Sequence, residues 1–183
     1  MAINNQPQLK ASMFGRMPVG GAKPKGAGGK GGLPAWRGPK GLRTEHRIGV
    51  QADALAIWEI IADLDRWADW NPLYTKASGA IRIGAPLTLT QALQGMEPHT
   101  LHAKVLEWVP GDRLHFQMSA LGGLVRATRY VEIEELAEGS CIVTTGDITG
   151  GLLGPSMARS LQPRLYRGFK AMNEALKARA EAR

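Results

Sequence analysis

The sequence IWEIIADLDRWADWNP, residues 57–72, decides how the chain is expected to fold, and it holds three of the five tryptophans. Apolar side chains here and just before it recur with the period of an α-helix and give one broad apolar face. They are Leu55, Ile57, Trp58, Ile60 and Ile61. The segment DLDRWADWNP (63–72) follows as a second short helix or turn, which Pro72 ends because proline cannot continue a helix. The stretch therefore predicts two short helices, with Trp58 in the core.

The segments that flank this helical stretch alternate apolar and polar residues, as half-buried strands do. One strand, EHRIGV (45–50), comes before it. Six more follow, separated by turn sequences such as PGD (110–112) and EGS (138–140). Their expected bounds are 73–79, 86–94, 100–109, 113–119, 124–136 and 140–149. Short connections between such strands predict an antiparallel meander.

A long helix is predicted to close the chain, beginning near Pro155. Its apolar residues recur three or four positions apart and form one stripe, while Lys and Arg fill the other faces. The stripe consists of Met157, Leu161, Leu165, Phe169, Met172 and Leu176. A sheet with one apolar face and a helix with one apolar stripe bury both when the helix lies across the sheet. The sequence therefore predicts an α+β fold in which a curved antiparallel sheet wraps around the C-terminal helix.

The N-terminal segment differs in composition from the rest of the chain. Eight of the 23 Lys and Arg residues lie before Thr44, whereas the first acidic residue is Glu45, so the net charge of +7 belongs to this segment. It is rich in Gly and Pro and holds too few aliphatic residues to offset the entropy of ordering. We predict a disordered basic tail over residues 1–42 and a folded domain over 43–183. The tail serves either as a solubilising leader or as a weak, nonspecific contact to nucleic acid or an anionic surface.

Residue counts and spacings limit the classes of site that this chain can hold. It has no run of about 18 apolar residues that would span a membrane and no secretory signal, which predicts a cytoplasmic protein. The single cysteine, Cys141, excludes an internal disulfide and lies in an apolar run typical of a buried thiol. The histidines are not spaced as metal ligands, so we predict neither a metal nor a cofactor. They are His46, His99, His102 and His115.

Five stretches resemble, in the same order, the SRPBCC superfamily of START-like, helix-grip proteins, particularly the polyketide cyclase/dehydrase and lipid-transport group. They are IWEIIADLDRWADWNP (57–72), SGAIRIGAPLTL (78–89), VLEWVPGDRLHFQ (105–117), GLVRATRYVEIEELAEGSCIVTTGDITG (123–150) and RGFKAMNEALKARAEA (167–182). The resemblance covers the chain from residue 45 to residue 182. It implies the helix-grip fold and a cavity between the sheet and the C-terminal helix that receives a small, mostly apolar molecule.

The side chains that face this cavity are predicted from the more apolar alternate set on each strand. On the last strand this set is Ile142, Thr144, Gly146 and Ile148. The preceding strand places one charged residue, Arg129, on its inward face, and a buried guanidinium requires a carboxylate, carbonyl oxygens, water or a ligand. Arg129 forms an internal ion pair, extends along the sheet edge so that its charged end reaches water, or binds a ligand carboxylate or carbonyl. His115 falls on the face opposite Leu114 and Phe116 and is predicted to be exposed.

The candidate ligand-binding residues combine inward positions with three residues from turns and loops. Trp70 and Asn71 lie where the resemblance places the turn into the first meander strand, near the cavity rim. Leu152 lies in the glycine-rich segment TGGLLGP (149–155), which we expect to act either as a lid over the cavity or as a packing staple at the helix start. The full set is Trp70, Asn71, Gln91, Phe116, Met118, Arg129, Thr144, Leu152 and Phe169.

Three functions follow from these features. The first is a noncatalytic module that binds a small hydrophobic ligand, lipid- or polyketide-like, with a carboxylate or carbonyl group. The second is an enzyme of the polyketide cyclase/dehydratase type, in which Arg129 polarises a carbonyl while a nearby Tyr or His moves protons. The third is an interaction protein that uses its basic tail. Because the predicted inward faces show no obvious base, no catalytic residue is assigned and binding is favoured.

Overall fold

The computed structural model describes residues 40–182, so the predicted disordered tail, 1–42, lies outside the described residues except for its last three. The described chain forms seven strands, three α-helices and two short 3-10 helices. In chain order they are β1 (Leu42–Val50), α1 (Ala54–Ala62), a 3-10 helix (Leu64–Arg66), α2 (Trp67–Trp70), β2 (Tyr74–Gly79), β3 (Pro86–Gln91), β4 (His99–Val109), β5 (Arg113–Ala120), a 3-10 helix (Leu121–Gly123), β6 (Val125–Ala137), β7 (Ser140–Gly150) and α3 (Gly154–Glu181).

The seven strands form one antiparallel sheet in the order β1-β7-β6-β5-β4-β3-β2. Strands β2 to β7 pair in chain order, as predicted for a meander, and β1 joins the far edge by pairing with β7. Leu42 lies opposite Thr149 in that pairing, and Val50 lies opposite Cys141. The sheet curls around the long helix α3, with the short helices after the first strand. The predicted helix-grip fold is confirmed.

The core lies between the concave face of the sheet and the apolar stripe of α3. Phe169, Met172 and Leu176 of the predicted stripe are fully buried. They belong to one cluster with inward side chains of the strands, among them Leu87, Leu89, Val105, Leu114, Phe116, Val131 and Val143. Each such burial stabilises the fold by about 1.5–3 kcal/mol relative to an exposed side chain. Trp58 is buried as predicted and stacks on Trp108, with ring centroids 6.2 Å apart.

The tryptophan-rich stretch forms the turn from α1 into β2. Trp67 Nε1 donates a hydrogen bond to the Ile61 carbonyl oxygen at 3.0 Å, which satisfies one of the carbonyls that a helix end leaves unpaired. Asn71 Oδ1 accepts hydrogen bonds from the backbone N–H groups of Leu73 and Tyr74, each at 3.0 Å. An Asn side chain that holds its own turn in this way sets the direction of the following strand. The stretch therefore decides where β2 begins.

The prediction for the inward face of β7 is wrong by one residue. The side chains that face the core or the cavity are Cys141, Val143, Asp147 and Thr149. Ile142, Thr144, Gly146 and Ile148, which alternate with them, lie on the opposite face of the sheet. Both alternate sets are buried along the second half of this strand. Apolar content therefore does not distinguish the two faces of β7.

His115 lies on the predicted face of β5, but the prediction that it is exposed is wrong, since only 1% of its side chain is exposed. Its Nε2 lies 2.9 Å from Glu132 Oε1, and its Nδ1 lies 3.6 Å from Glu107 Oε2. The Tyr130 ring meets the imidazole edge-on at a centroid distance of 6.0 Å. Side chains from neighbouring strands cover His115, and the pattern along a single strand does not show such neighbours.

Candidate functional site

A cavity of about 390 Å³ lies between the concave face of the sheet and the first half of α3. The sheet and its loops contribute Gln91, His99, Thr100, Leu101, His102, Met118, Ser119, Ala120, Val125, Ala127, Arg129, Asp147 and Thr149. The helix contributes Met157, Ala158, Leu161 and Leu165. The volume falls within the range of about 300–1,000 Å³ that is usual for small-molecule pockets. Most of the wall surface is apolar, and the polar side chains lie at the mouth and at the buried end.

The cavity runs from an open mouth to a buried polar end. Thr100, His102, Ser119 and Ala120 line the cavity and are exposed, so the cavity reaches the surface beside the β4 and β5 termini. Arg129, by contrast, is only 5% exposed. The charged group therefore lies at the end of the cavity that is farthest from solvent.

Arg129 lies directly opposite Asp147 in the pairing of β6 with β7. Its Nε donates a hydrogen bond to Asp147 Oδ2 at 3.3 Å, and its Nη1 donates to the Tyr74 hydroxyl. The guanidinium carbon also lies 5.6 Å from the centroid of the Phe169 ring. A buried cation needs an opposite charge, hydrogen bonds and, where available, an aromatic face. Arg129 has all three, so the ion pair considered from the sequence is present, and the same residue also lines the cavity.

Burial and these partners set the ionisation of the polar end. Burial raises the pKa of Tyr74 and outweighs the opposing effect of Arg129, so the hydroxyl stays protonated at neutral pH. Burial alone would lower the pKa of Arg129, but Tyr74 and Asp147 raise it above its ordinary value. The guanidinium therefore keeps its charge and acts as a fixed hydrogen-bond donor.

Asp147 is a site residue that the sequence prediction missed, because the inward face of β7 was assigned one residue out of step. Its Oδ1 accepts a hydrogen bond from the Thr149 hydroxyl, while Oδ2 accepts from Arg129. Both oxygens are therefore engaged in orienting the cluster. A signal existed in the sequence, since Asp147 is the one acidic residue between Glu138 and Glu174 and lies within a predicted strand.

Gln91 links Arg129 to the wall near the mouth. With the Gln91 amide oriented so that its oxygen faces the guanidinium, this oxygen accepts from Arg129 Nη2 at 2.9 Å. The amide nitrogen then donates to His99 Nε2 at 3.3 Å. Such amide orientations are assigned from the hydrogen-bond network that they complete. Asp147, Arg129, Gln91 and His99 thus form one connected row along the cavity wall.

Five of the nine predicted ligand-binding residues lie at or beside the cavity. Gln91, Met118 and Arg129 line it. Phe116 and Phe169 are buried in the adjoining core, and the Phe169 ring contacts the Arg129 guanidinium. The inward positions chosen from alternation on β3, β5 and β6 therefore come together as expected.

The other four predicted residues do not line the cavity. Asn71 holds the turn before β2, and Trp70 packs edge-on against Trp67 at a centroid distance of 6.3 Å. Thr144 lies on the opposite face of the sheet, for the reason given above for β7. Leu152 is 82% exposed on the loop before α3. The resemblance located the turn at Trp70 and Asn71 correctly, but the turn uses these side chains for its own packing.

Within residues 40–182, no group of three or more His, Cys, Asp and Glu side chains is placed to hold a metal ion. No helix in that range combines the length and the apolar character needed to cross a membrane.

Burial raises the pKa of the Cys141 thiol. Cys141 therefore stays in its thiol form at neutral pH.

Solved structures of other proteins share this fold. A START superfamily protein from Mycobacterium smegmatis is 16% identical with a TM-score of 0.62, covering 76% of this chain and 97% of that chain. The Zhui aromatase/cyclase from Streptomyces sp. R1128 is 22% identical with a TM-score of 0.62, covering 78% and 94%. Norcoclaurine synthase from Thalictrum flavum, in complex with a transition state analogue, is 17% identical with a TM-score of 0.58, covering 78% and 97%. At these identities the likeness shows the fold alone.

No curated protein sequence matches the chain. The family model described as polyketide cyclase / dehydrase and lipid transport matches residues 42–181. The match begins with the first residue of β1 and ends with the last residue of α3, so it includes every residue that lines the cavity. The chain belongs to the polyketide cyclase / dehydrase and lipid transport family.

Proposed function

We propose that this chain binds a small, mostly apolar molecule in the cavity, with one uncharged oxygen of that molecule held by Arg129. The observation that carries the proposal is a hydrogen-bonded guanidinium at the buried end of a mostly apolar cavity. A few polar groups that converge in a largely apolar pocket are the usual arrangement for orienting a small molecule.

Arg129 retains the capacity to bind a ligand oxygen. A guanidinium has five N–H groups. Asp147 takes the one on Nε, Tyr74 and Gln91 take those on Nη1, and Gln91 also accepts from Nη2. One N–H of Nη2 has no partner within residues 40–182, and Arg129 lines the cavity. A ligand oxygen at the buried end completes the hydrogen bonding of the group.

The charge balance of the cluster favours a carbonyl or hydroxyl over a carboxylate. Asp147 already neutralises Arg129. A ligand carboxylate would bring a second negative charge to one buried cation, and the desolvation of each ion costs several kcal/mol. A carbonyl or hydroxyl oxygen accepts the same hydrogen bond without that cost. The sequence left the polar group of the ligand open between a carboxylate and a carbonyl, and the charge balance supports the proposal of an uncharged oxygen.

The remainder of the ligand is matched by the apolar wall. Met118, Val125 and Ala127 from the sheet face Leu161 and Leu165 from α3. Apolar area removed from water contributes about 25 cal/mol per Å². A lipid-like or polyketide-like skeleton therefore gains most of its affinity here, while Arg129 sets its orientation.

A cyclase or dehydratase reaction on such a ligand is the second candidate. It is favoured by the position of His99 in the cavity wall, hydrogen-bonded through Gln91 to Arg129. A guanidinium that polarises a carbonyl and an imidazole that moves a proton are the two groups that such a reaction needs. Turnover of a bound ligand that stops in a His99→Phe variant, with ligand binding retained, would distinguish the enzyme from the binding module.

A dye-binding titration tests the proposed binding. Leu161 lines the cavity and is only half-buried, so Leu161→Trp is expected to fill the cavity without unfolding the chain. Leu136→Trp is the matched control, since Leu136 is an exposed leucine at the far end of β6. The neutral dye Nile red is expected to bind the wild type and the Leu136→Trp variant equally, and Leu161→Trp about tenfold more weakly. Equal binding by all three proteins would exclude the cavity as the binding site.

A matched pair of competitors tests the preference for an uncharged oxygen. Naphthyl methyl ketone and naphthoate share one ring system and differ in the charge of the oxygen group. The ketone is expected to displace Nile red at a lower concentration than the carboxylate, because Asp147 already neutralises Arg129. Stronger displacement by naphthoate would contradict the assignment of the polar group while leaving the cavity as the site.

A further inference from the structure

Two neighbouring loops carry four exposed leucines beside the mouth of the cavity. One is the β5–β6 loop, residues 121–124, and the other is the β7–α3 loop, residues 151–153. The exposed fractions are 57% for Leu121, 43% for Leu124, 82% for Leu152 and 43% for Leu153. The backbone N–H of Leu153 donates to the carbonyl oxygen of Leu124 at 3.1 Å, which joins the two loops. We call this surface the leucine patch.

The leucine patch borders the cavity on two sides. Ala120 and Val125, which flank the first loop, line the cavity, and so do Met157 and Ala158, which follow the second. Grouped apolar side chains on loop tips do not contribute to the core, and a patch of them on a surface marks a site of interaction. Because the leucines project from loop tips, they are better suited to insertion into a soft apolar medium than to contact with a groove-shaped partner.

The surroundings of the leucine patch are basic. The segments 113–131 and 148–173, which contain the two loops, hold no acidic residue. Arg126 and Arg159 are exposed beside the two loops, and neither forms an ion pair within residues 40–182. An exposed apolar patch with unpaired cations next to it is complementary to an anionic surface that has an apolar layer beneath.

A further exposed cation, Lys40, lies beside the leucine patch. It lines a groove together with Gly123 and Arg126 at the first loop and Gly151 at the second. β1 begins at Leu42, which pairs with Thr149 at the end of β7, immediately before the second loop. Lys40 and Arg126 therefore place positive charge next to the patch.

We propose that the leucine patch docks the protein on the surface of an anionic lipid bilayer, with the mouth of the cavity facing the lipid. The four leucines enter the boundary between headgroups and acyl chains, and the nearby arginines contact the anionic headgroups. Docking of this kind combines buried apolar area with electrostatic attraction and needs no spanning helix. It brings an apolar ligand to the cavity without passage through water.

Vesicle co-sedimentation of the full-length chain tests the docking surface. The probes are phosphatidylcholine vesicles with and without about 30% phosphatidylserine, because surface charge is the term that Arg and Lys recognise. Leu152→Asp is compared with Leu136→Asp, an exposed leucine at the opposite end of β6. Arg126→Glu is compared with Arg47→Glu, an equal change of charge further along the sheet on β1.

Binding to the anionic vesicles is expected to fall about tenfold in Leu152→Asp and severalfold in Arg126→Glu. The controls Leu136→Asp and Arg47→Glu are expected to bind as the wild type does. Equal binding of Leu152→Asp and wild type would overturn the proposal, since the basic N-terminal segment alone would then account for the attraction. Equal binding of the wild type to vesicles with and without phosphatidylserine would also overturn the proposal. A third contradictory result is that the wild type binds soluble polyglutamate as strongly as the anionic vesicles and Leu152→Asp does not weaken that binding. This result would indicate an acidic protein partner.

Discussion

Arg129 Nε and Asp147 Oδ2 lie 3.3 Å apart at the buried end of the cavity, on adjacent strands and directly opposite each other. The two residues are each almost fully buried. Each therefore supplies the charge that makes burial of the other tolerable. This pair fixes the guanidinium that is proposed to hold a ligand oxygen.

Asp147→Asn is expected to destabilise the fold by about 3–5 kcal/mol, because it leaves the Arg129 charge buried without its counter-charge. Denaturant unfolding measures the change. Glu134→Gln is the control, because its ion pair with Arg47 is exposed and such pairs contribute about 0–1 kcal/mol. A loss no larger in Asp147→Asn than in Glu134→Gln would show that the buried pair does not stabilise the fold as described.

Thr149→Val tests the second hydrogen bond to Asp147 and the corrected face of β7. Removing the hydroxyl leaves a buried carboxylate oxygen without its donor, which is expected to cost about 1–3 kcal/mol. Thr144→Val removes the same group from the opposite face of the same strand and is expected to change stability by less than about 0.5 kcal/mol. If Thr144→Val were the more damaging of the two, the face assignment would be reversed.

Gly146→Ala tests how closely Tyr130 covers the outer face of β7. A Cβ on Gly146 would overlap the Tyr130 ring, whose hydroxyl is held by Glu45 at 2.7 Å. Overpacking of this kind is expected to cost about 1–3 kcal/mol in unfolding free energy. Gly49→Ala on β1 is the matched control, since a Cβ there meets no atom within 4 Å. A Gly146→Ala protein as stable as Gly49→Ala would show that the ring lies elsewhere.

The buried Tyr74 hydroxyl is expected to make the fold less stable at alkaline pH. Its pKa is raised in the folded chain by burial, so the folded state holds the proton more tightly than the unfolded state, where tyrosine titrates near its ordinary value of about 10. Stability from this group is therefore complete below that pH and falls as the pH rises above it. Tyr74→Phe should reduce the alkaline slope of the unfolding free energy, whereas Tyr166→Phe, at an exposed tyrosine, should leave it unchanged. Equal slopes in Tyr74→Phe and wild type would contradict the buried environment of the hydroxyl.

The fold could be predicted because it rests on periods that are visible along the chain. The alternation from β2 to β7 identifies the strands, and the stripe on α3 identifies the helix and its apolar face. The strand bounds differ by only a few residues at most ends; β3, for example, ends at Gln91 rather than at residue 94. Those differences arise where turns, rather than apolar patterns, end a strand.

The candidate site could be predicted only in part, because its contacts join distant positions. Arg129 and Tyr74 are 55 positions apart, and no local pattern connects them. Asp147 was missed because both faces of β7 are buried, so alternation of apolar residues could not select the inward set. Trp70 and Asn71 were predicted to bind ligand because the resemblance placed their turn near the cavity rim. In the structure the Trp70 side chain instead packs within the turn, and the Asn71 side chain accepts hydrogen bonds from its backbone. The need of a buried guanidinium for a counter-charge would have indicated Asp147, because it is a carboxylate on the neighbouring strand.

Native mass spectrometry of the full-length protein, purified from its source without organic solvent, measures most directly whether the cavity holds a ligand. The expected result is a copurifying small apolar compound that bears a carbonyl or hydroxyl group, present in the wild type and in the Leu136→Trp variant. It should be lost from Leu161→Trp, whose new indole fills the cavity between α3 and the sheet. A protein that is empty in every preparation, or a compound retained equally by Leu161→Trp, would contradict ligand binding in this cavity.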